Sequence, residues 1–108
     1  MTGLKTMKRN EVKEKVFQTL VLYDSMPVKT RPLCALCRIS SRELQNAVHD
    51  LRMDGVKVCS GDDGYWIWDG QDDSWNHTKN QIKSRIKKLS QMYAAMEGTP
   101  LEGQQTWI

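Results

Sequence analysis

The segment that most constrains the fold is residues 39–55, which reads ISSRELQNAVHDLRMDG. Ser40 is followed three residues later by Glu43, and these two side chain types cap the first turn of a helix reciprocally when they have this spacing. Apolar residues then recur at helical intervals, at Leu44, Ala47, Val48 and Leu51. Gly55 suits the left-handed conformation that ends many helices. The segment therefore predicts an amphipathic helix that buries one face and exposes the other.

A first helix is predicted from about Asn10 to about Tyr23, with Asn10 as its N-cap. Its apolar stripe consists of Val12, Val16, Leu20 and Tyr23, widened by Phe17 and Val21. The sequence SMP at 25–27 ends this helix, because the residue before a proline avoids the helical region. Val28 is then expected to be a short extended piece.

A short second helix is predicted to follow, with Thr30 as its N-cap and Pro32 in its first turn, where a missing N–H is harmless. Leu33 and Leu36 are both expected to face inward. Its connection to the next helix is tight, at residues 38–40.

A β-hairpin is predicted after the third helix. Val56, Val58 and Cys59 favour a strand, and residues 65–68, which read YWIW, favour one more strongly. Residues 60–64, SGDDG, form turns at nearly every position. A final helix is then expected from about Ser74 to Met96, started by Asp72, Asp73 and Ser74.

The final helix carries a seam of apolar residues that alternate at intervals of four and three. The seam consists of Ile82, Ile86, Leu89, Tyr93 and Met96. Three interpretations are open: the seam packs on the first helix, it pairs two chains in a homodimer, or the helix instead presents its basic residues to phosphates.

Charge is segregated along a chain whose net charge is only +3. Residues 59–76 hold five aspartates and no basic residue, whereas residues 77–96 hold five basic residues and no acidic one. Such blocks suggest that particular faces meet polyanions, although a charged face is often only solvated.

The order of helix, short helix, tight turn, capped helix and hairpin is that of a winged helix-turn-helix, a mainly α fold with a small β-hairpin, here followed by a long C-terminal helix. The spacing of Ile39, Ser40, Arg42 and Leu44, then of Leu51, Arg52 and Gly55, then of Gly64 and Tyr65, resembles the DNA-binding domain of biotin-repressor-type regulators. It is similar also to small phage and prophage winged-helix proteins. The resemblance covers roughly residues 10–95.

By that resemblance, a winged-helix domain occupies residues 10–70 and a basic amphipathic helix occupies 71–97, with flexible ends at 1–9 and 98–108. Residues 41–54 would be the recognition helix, which reads double-stranded DNA through the major groove. We predict that DNA is contacted by Ser41, Arg42, Gln45, Asn46, His49, Arg52, Lys79 and Lys83. The expected function is that of a transcriptional regulator or accessory factor of phage or prophage type.

The hairpin departs from the family pattern, because a hairpin that contacts DNA usually carries Lys or Arg at its tip. Here Asp62 and Asp63 occupy the tip, and two carboxylates near a phosphate backbone would weaken binding. The alternative function is therefore a protein-interaction module, such as a phage-encoded inhibitor that binds a host nucleoprotein complex.

An enzyme is not predicted, because neither His49 nor His77 has a nucleophile or carboxylate at catalytic spacing. No metal or cofactor is expected: Cys34 and Cys37 form one C-x-x-C, but a zinc site needs a second ligand pair. The odd number of cysteines argues against a disulfide framework. With no stretch apolar enough for a membrane span and no secretory signal pattern, a cytoplasmic protein that does not bind membranes is expected.

Overall fold

The computed structural model describes residues 8–98. These residues form a mainly helical α+β fold with four helices and one antiparallel hairpin, in the predicted order. The elements are α1 (Arg9–Leu22), α2 (Thr30–Cys37), α3 (Ser41–Met53), β1 (Val58–Gly61), β2 (Gly64–Ile67) and α4 (Ser74–Met96). The predicted fold class is thus confirmed. The flexible ends predicted at 1–9 and 98–108 lie outside the described residues, apart from Lys8, Arg9 and Gly98.

The described residues fall into two compact units that divide between Trp75 and Asn76. The first unit contains α1, α2, α3 and the hairpin, and the second contains α4 from Asn76 onward. Among the described residues, no helix combines the length and the apolar character needed to cross a membrane.

Helix α3 forms as its sequence predicts. The Ser40 Oγ accepts a hydrogen bond from the Glu43 N–H at 3.1 Å, and the Ser40 N–H donates to Glu43 Oε1 at 2.9 Å. The four apolar residues of its stripe are all buried. Gly55 has a φ of 93°, the left-handed conformation expected after the helix.

The substitution Ser40→Ala should lower the free energy of unfolding by about 1 kcal/mol, because it leaves the Glu43 N–H without its capping oxygen. Ser41→Ala is the matched control, since Ser41 is an exposed residue inside the helix and should change stability by less than about 0.5 kcal/mol. Urea unfolding of both variants makes the comparison. Equal losses from the two substitutions would contradict the capping role of Ser40.

The beginning of α1 differs from the prediction. Asn10 lies inside the helix, and Lys8 occupies the N-cap position, where its N–H donates to Glu11 Oε1 at 2.9 Å. Val12, Val16 and Leu20 are buried as expected. The helix ends at Leu22, one residue earlier than predicted. Val21 and Tyr23 are exposed rather than part of the buried stripe.

Helix α2 also differs at two positions. It begins at Thr30, the predicted N-cap, and Lys29 occupies the N-cap position instead, without a capping hydrogen bond from its side chain. Leu33 is fully buried as predicted, but Leu36 is half exposed. The helix is only eight residues long, and its inward face is filled by Leu33 and Cys37, four residues apart. Leu36 therefore points away from the core.

The core of the first unit lies between α1, α2, α3 and the start of the hairpin. Its largest fully buried apolar side chains are Val16, Leu20, Leu33, Leu44 and Val58. Because these residues come from all four elements, the core fixes α3 with its polar face turned outward.

The hairpin pairs Val58 with Ile67 and Gly61 with Gly64, which leaves Asp62 and Asp63 as a two-residue turn. Residues 60, 61 and 64, expected in the turn, belong to the strands. Val28 is extended as predicted and forms an isolated bridge with Tyr65. The Val28 N–H donates to the Tyr65 carbonyl at 2.8 Å, and the Tyr65 N–H donates back at 2.9 Å. Val28 thereby ties the hairpin to the segment between α1 and α2.

Candidate nucleic-acid interface

The outer face of α3 carries four exposed polar residues that were predicted as DNA contacts: Ser41, Arg42, Gln45 and His49. They share one face because intervals of three and four residues bring side chains together on a helix. The opposite face is held in the core by Leu44, Ala47, Val48 and Leu51. Burial on one side thus determines what the other side presents.

The acidic residues of α3 all take part in contacts inside the first unit. Glu43 caps the helix, and Asp50 accepts two hydrogen bonds from Arg9, with Nε–Oδ2 at 2.7 Å and Nη2–Oδ1 at 2.9 Å. Asp54, which follows the helix, pairs with Lys13 Nζ at 2.6 Å. The charges of Asp50 and Asp54 are therefore compensated by α1, and Arg42 stands on a face without an acidic side chain among its exposed polar residues.

The Arg9–Asp50 and Lys13–Asp54 pairs shift the pKa of their members. The hydrogen bond from Arg9 lowers the pKa of Asp50, and the same contact raises the pKa of Arg9. The hydrogen bond to Asp54 raises the pKa of Lys13. Both pairs are solvent-accessible, so their main effect is to orient side chains between α1 and α3 and not to add much stability.

Asn46 lies at the edge of this face, next to α1. It is half-buried and borders a cavity of about 140 Å³. The cavity is also lined by Arg9, Val12, Glu43 and Ala47. Asn46 therefore lies away from the centre of the exposed face, which His49 and Gln45 occupy.

Arg52 is placed differently from the other predicted DNA contacts. Its Nε donates to the Val58 carbonyl at 2.9 Å, and its Nη2 donates to Ser60 Oγ at 3.2 Å. The half-buried guanidinium thus joins the end of α3 to strand β1. The pattern of α3 alone could not reveal this contact, because it depends on where the chain returns after Gly55.

Lys79 and Lys83 are exposed residues of α4 in the second unit. Their separation of four residues puts them on one face of the helix. The predicted DNA contacts are thus divided between the two units, with Lys79 and Lys83 in the second and the exposed residues of α3 in the first.

The hairpin presents Asp62 and Asp63 as exposed residues at its tip. Among the contacts described, two cations meet the hairpin away from its tip: Arg52, which donates to β1, and Lys57, whose Nζ lies 5.0 Å from the centre of the Trp68 ring. An ammonium over an aromatic face is a stabilising contact within the hairpin. The tip itself remains acidic, as predicted.

Asp72 organises the start of α4 and was predicted to do so together with Asp73 and Ser74. Its Oδ1 accepts hydrogen bonds from the Ser74 N–H at 3.0 Å, from Ser74 Oγ at 2.6 Å and from Trp68 Nε1 at 3.2 Å. The hydrogen bonds from Ser74 lower the pKa of Asp72. Ser74 also lies 3.3 Å from Trp66 Nε1, which donates to its Oγ. Asp72 and Ser74 thus connect Trp66 of β2, and Trp68 just after it, to the start of α4.

Stability should fall below about pH 4, because Asp50 and Asp72 have pKa values in the folded chain below the ordinary value of about 3.9. A lowered folded-state pKa gives stability that is fully present above the unfolded-state pKa and lost as pH falls through the folded-state pKa. Urea unfolding at several pH values between 7 and about 2.5 measures this.

Asp50→Asn should reduce this acid sensitivity, whereas Asp63→Asn at the exposed hairpin tip should leave it as in the wild type. A wild-type stability that rises steadily from about pH 5 to about pH 3 would contradict the assignment.

The three cysteines are free thiols: Cys34 is half-buried, and Cys37 and Cys59 are buried. Burial raises the pKa of the Cys34 thiol. The Cys37 Sγ lies 3.5 Å from Thr19 Oγ1, and the Cys59 Sγ lies 3.4 Å from Ser74 Oγ. Within residues 8–98, no three His, Cys, Asp or Glu side chains are grouped as a metal ion would require.

Comparison with protein-family models, with curated proteins and with solved structures finds no match to this chain. The inference about its function therefore depends on the side chains described above.

Proposed function

We propose that this chain is a cytoplasmic, non-enzymatic DNA-binding protein of the winged-helix type, which inserts the exposed face of α3 into the major groove. The resemblance to phage and prophage winged-helix proteins favours a role as transcriptional regulator or accessory factor. The observation that carries the proposal is the composition of that face. Ser41, Arg42, Gln45 and His49 are exposed there, while Glu43, Asp50 and Asp54 are engaged in contacts within the unit.

The exposed side chains have the chemistry that reads base pairs. An arginine such as Arg42 donates two hydrogen bonds to O6 and N7 of guanine, and a glutamine such as Gln45 pairs with N6 and N7 of adenine. Ser41 is the first residue of α3, and a hydroxyl beside a helix N-terminus suits a phosphate oxygen. At 13 residues, the helix is about 20 Å long, which fits along the major groove.

We assign the other predicted contacts different roles. Arg52 stabilises the joint between α3 and β1, and Asn46 stands at the edge of the binding face. Lys79 and Lys83 supply phosphate contacts, which position a protein on DNA without reading its sequence. The hairpin tip makes no phosphate contact, because Asp62 and Asp63 would repel the backbone.

Titration of the full chain into fluorescently labelled duplexes at two salt concentrations tests the proposal. The affinity should fall as salt rises, with log K decreasing by about 0.9 per decade of salt for each phosphate neutralised. Lys79→Gln with Lys83→Gln should make the slope of log K against log salt shallower, by the contribution of about two phosphate contacts. If no duplex or genomic fragment binds at low salt, DNA binding is ruled out.

A second candidate function, a protein-interaction module, is favoured by a patch of exposed apolar side chains. Val21, Leu22 and Met26 are 51%, 83% and 65% exposed at the end of α1 and in the turn after it. Exposed apolar patches mark protein interaction sites. A host protein is the partner that the acidic hairpin and this patch would suit.

Leu22→Lys with Met26→Lys separates the two functions. If the chain binds DNA through α3, the affinity for duplex should stay within about twofold, because these residues lie on another surface. If the chain acts on a protein partner, the wild type will not bind duplex DNA. The double variant will then lose its effect on the host protein in cells, while its free energy of unfolding stays unchanged.

A further inference from the structure

An apolar seam on α4 is exposed. The α4 seam consists of Ile82, Ile86, Leu89, Tyr93 and Met96, and the last four are 59%, 54%, 63% and 74% exposed. The intervals of four and three residues keep them in one row along the helix, as in the a and d positions of a coiled coil. Met92, beside this row, is also 54% exposed.

The helix that carries the seam is purely basic. Lys79, Lys83, Arg85, Lys87 and Lys88 are its charged residues, and Ser74–Met96 contains no Asp or Glu. Two such helices side by side would bring together two sets of five positive charges. Repulsion of this kind acts over a Debye length of about 10 Å at 0.1 M salt and about 3 Å at 1 M salt.

We propose that the α4 seam pairs with the same seam of a second copy of this chain, and that duplex DNA drives the pairing by neutralising the basic residues. This inference rests on the proposed DNA-binding function. It describes a monomer in free solution at low salt and a dimer on DNA. Duplex DNA thus favours the dimer, which charge repulsion between the two helices otherwise opposes.

The positions beside the seam favour a second copy as the occupant. With Ile86 and Tyr93 at a positions, Arg85 and Met92 occupy g positions, and Lys83 and Ser90 occupy e positions. In a parallel pair, Arg85 of one helix then lies beside Ser90 of the other, and Met92 lies beside Glu97. No cation therefore faces a cation beside the seam from Ile82 to Met96. The remaining repulsion comes from Lys79, which precedes the seam, and from the long-range field of the other basic residues, which phosphates or salt relieve.

The seam is also short and interrupted at its start, which keeps the free chain monomeric. Its 15 residues from Ile82 to Met96 span about 21 Å, little more than two heptads. Lys79 occupies the preceding a position, where a lysine lowers the stability of a coiled coil. A single α3 offers only a few base contacts, so a second copy would double the number of base contacts.

Sedimentation velocity of the full chain tests the inference, alone at about 0.1 M and about 1 M salt and then with a 30-base-pair duplex at low salt. We expect monomers at low salt, a dimer fraction that rises with salt, and two chains on each duplex. Lys79→Leu should give dimers at low salt without DNA.

Ile86→Lys should remain monomeric at both salt concentrations and should bind duplex about 100-fold more weakly, because the avidity of the pair is lost. Ser84→Lys is the matched control: it adds the same charge at an exposed f position opposite the seam and should still dimerise on DNA.

The outcomes distinguish this inference from the proposed function. A wild type that binds duplex as a single chain, and stays monomeric at 1 M salt, overturns the pairing while leaving DNA binding intact. A stable dimer at low salt without DNA overturns the coupling. A failure to bind any duplex overturns the proposed function itself, and the coupling with it.

Discussion

Gly64→Ala should destabilise the first unit by about 3 kcal/mol or more. Gly64 has a φ of 114°, a conformation that costs a residue with a side chain about 1–3 kcal/mol. A Cβ at this position would also lie only 2.1 Å from the carbonyl oxygen of Val28. That atom belongs to the bridge between Val28 and Tyr65, so the backbone would have to move and the bridge would be lost.

Substitutions at two other glycines distinguish the cost of the backbone conformation from the cost of the steric clash. Gly70→Ala introduces the unfavourable φ alone, since Gly70 has a φ of 85° and nothing within 4 Å of an added Cβ. Gly61→Ala introduces neither problem, because its nearest contact would be the Trp66 ring at 3.5 Å.

We expect losses of about 3 kcal/mol or more for Gly64→Ala, about 1 kcal/mol for Gly70→Ala and less than about 0.5 kcal/mol for Gly61→Ala, measured by urea unfolding. A Gly64→Ala variant as stable as Gly61→Ala would contradict the close approach of Val28.

Arg42→Ala together with Gln45→Ala should abolish the sequence preference of DNA binding while keeping most of the non-specific affinity. Each well-formed bidentate contact to a base contributes about 1–3 kcal/mol of discrimination, so the preferred duplex should lose about 100-fold or more in affinity relative to other sequences. Both side chains are exposed, so the variant should remain folded. Competition binding between a selected duplex and a scrambled one measures the effect.

Lys15→Ala with Gln18→Ala is the matched control for this double substitution, because it removes one cation and one amide from exposed positions of α1 and leaves the outer face of α3 unchanged. It should keep the sequence preference. If instead the α3 variant discriminates among duplexes as well as the wild type, the reading surface lies elsewhere on the chain.

Much of α3 could be predicted because the interactions that form it are local. Ser40 and Glu43 cap the helix within one turn, and the apolar stripe that it buries needs only a partner surface of any kind. The same holds for Asp72 and Ser74 at the start of α4. The order of the helices and the hairpin followed from these local signals.

The predictions were wrong where the structure depends on a competing local partner or on a contact with a residue far away in the chain. Glu11 provides a carboxylate for the Lys8 N–H, so α1 begins earlier than Asn10 suggests. Leu36 is exposed because Leu33 and Cys37 already fill the inward face of a two-turn helix. Arg52 appears in the sequence as one more cation on a helix, and only the return of strand β1 shows its role.

The candidate site was predictable in part for the same reason. The exposed positions of α3 follow from its buried ones, which gave Ser41, Arg42, Gln45 and His49. The compensation of Asp50 and Asp54 by Arg9 and Lys13 was not predictable, because those residues lie 41 positions apart in the chain. Because these pairs compensate the two carboxylates, the groups that α3 exposes on its outer face are cationic, amide and hydroxyl groups.

The most direct test of the central claim is a titration of the ¹⁵N-labelled chain with duplex DNA, followed residue by residue by NMR. We expect the largest shifts at Ser41, Arg42, Gln45 and His49, with little change at Asp62, Asp63 and the apolar patch around Leu22. Shifts concentrated at the hairpin tip or the apolar patch, with none on the outer face of α3, would contradict that claim.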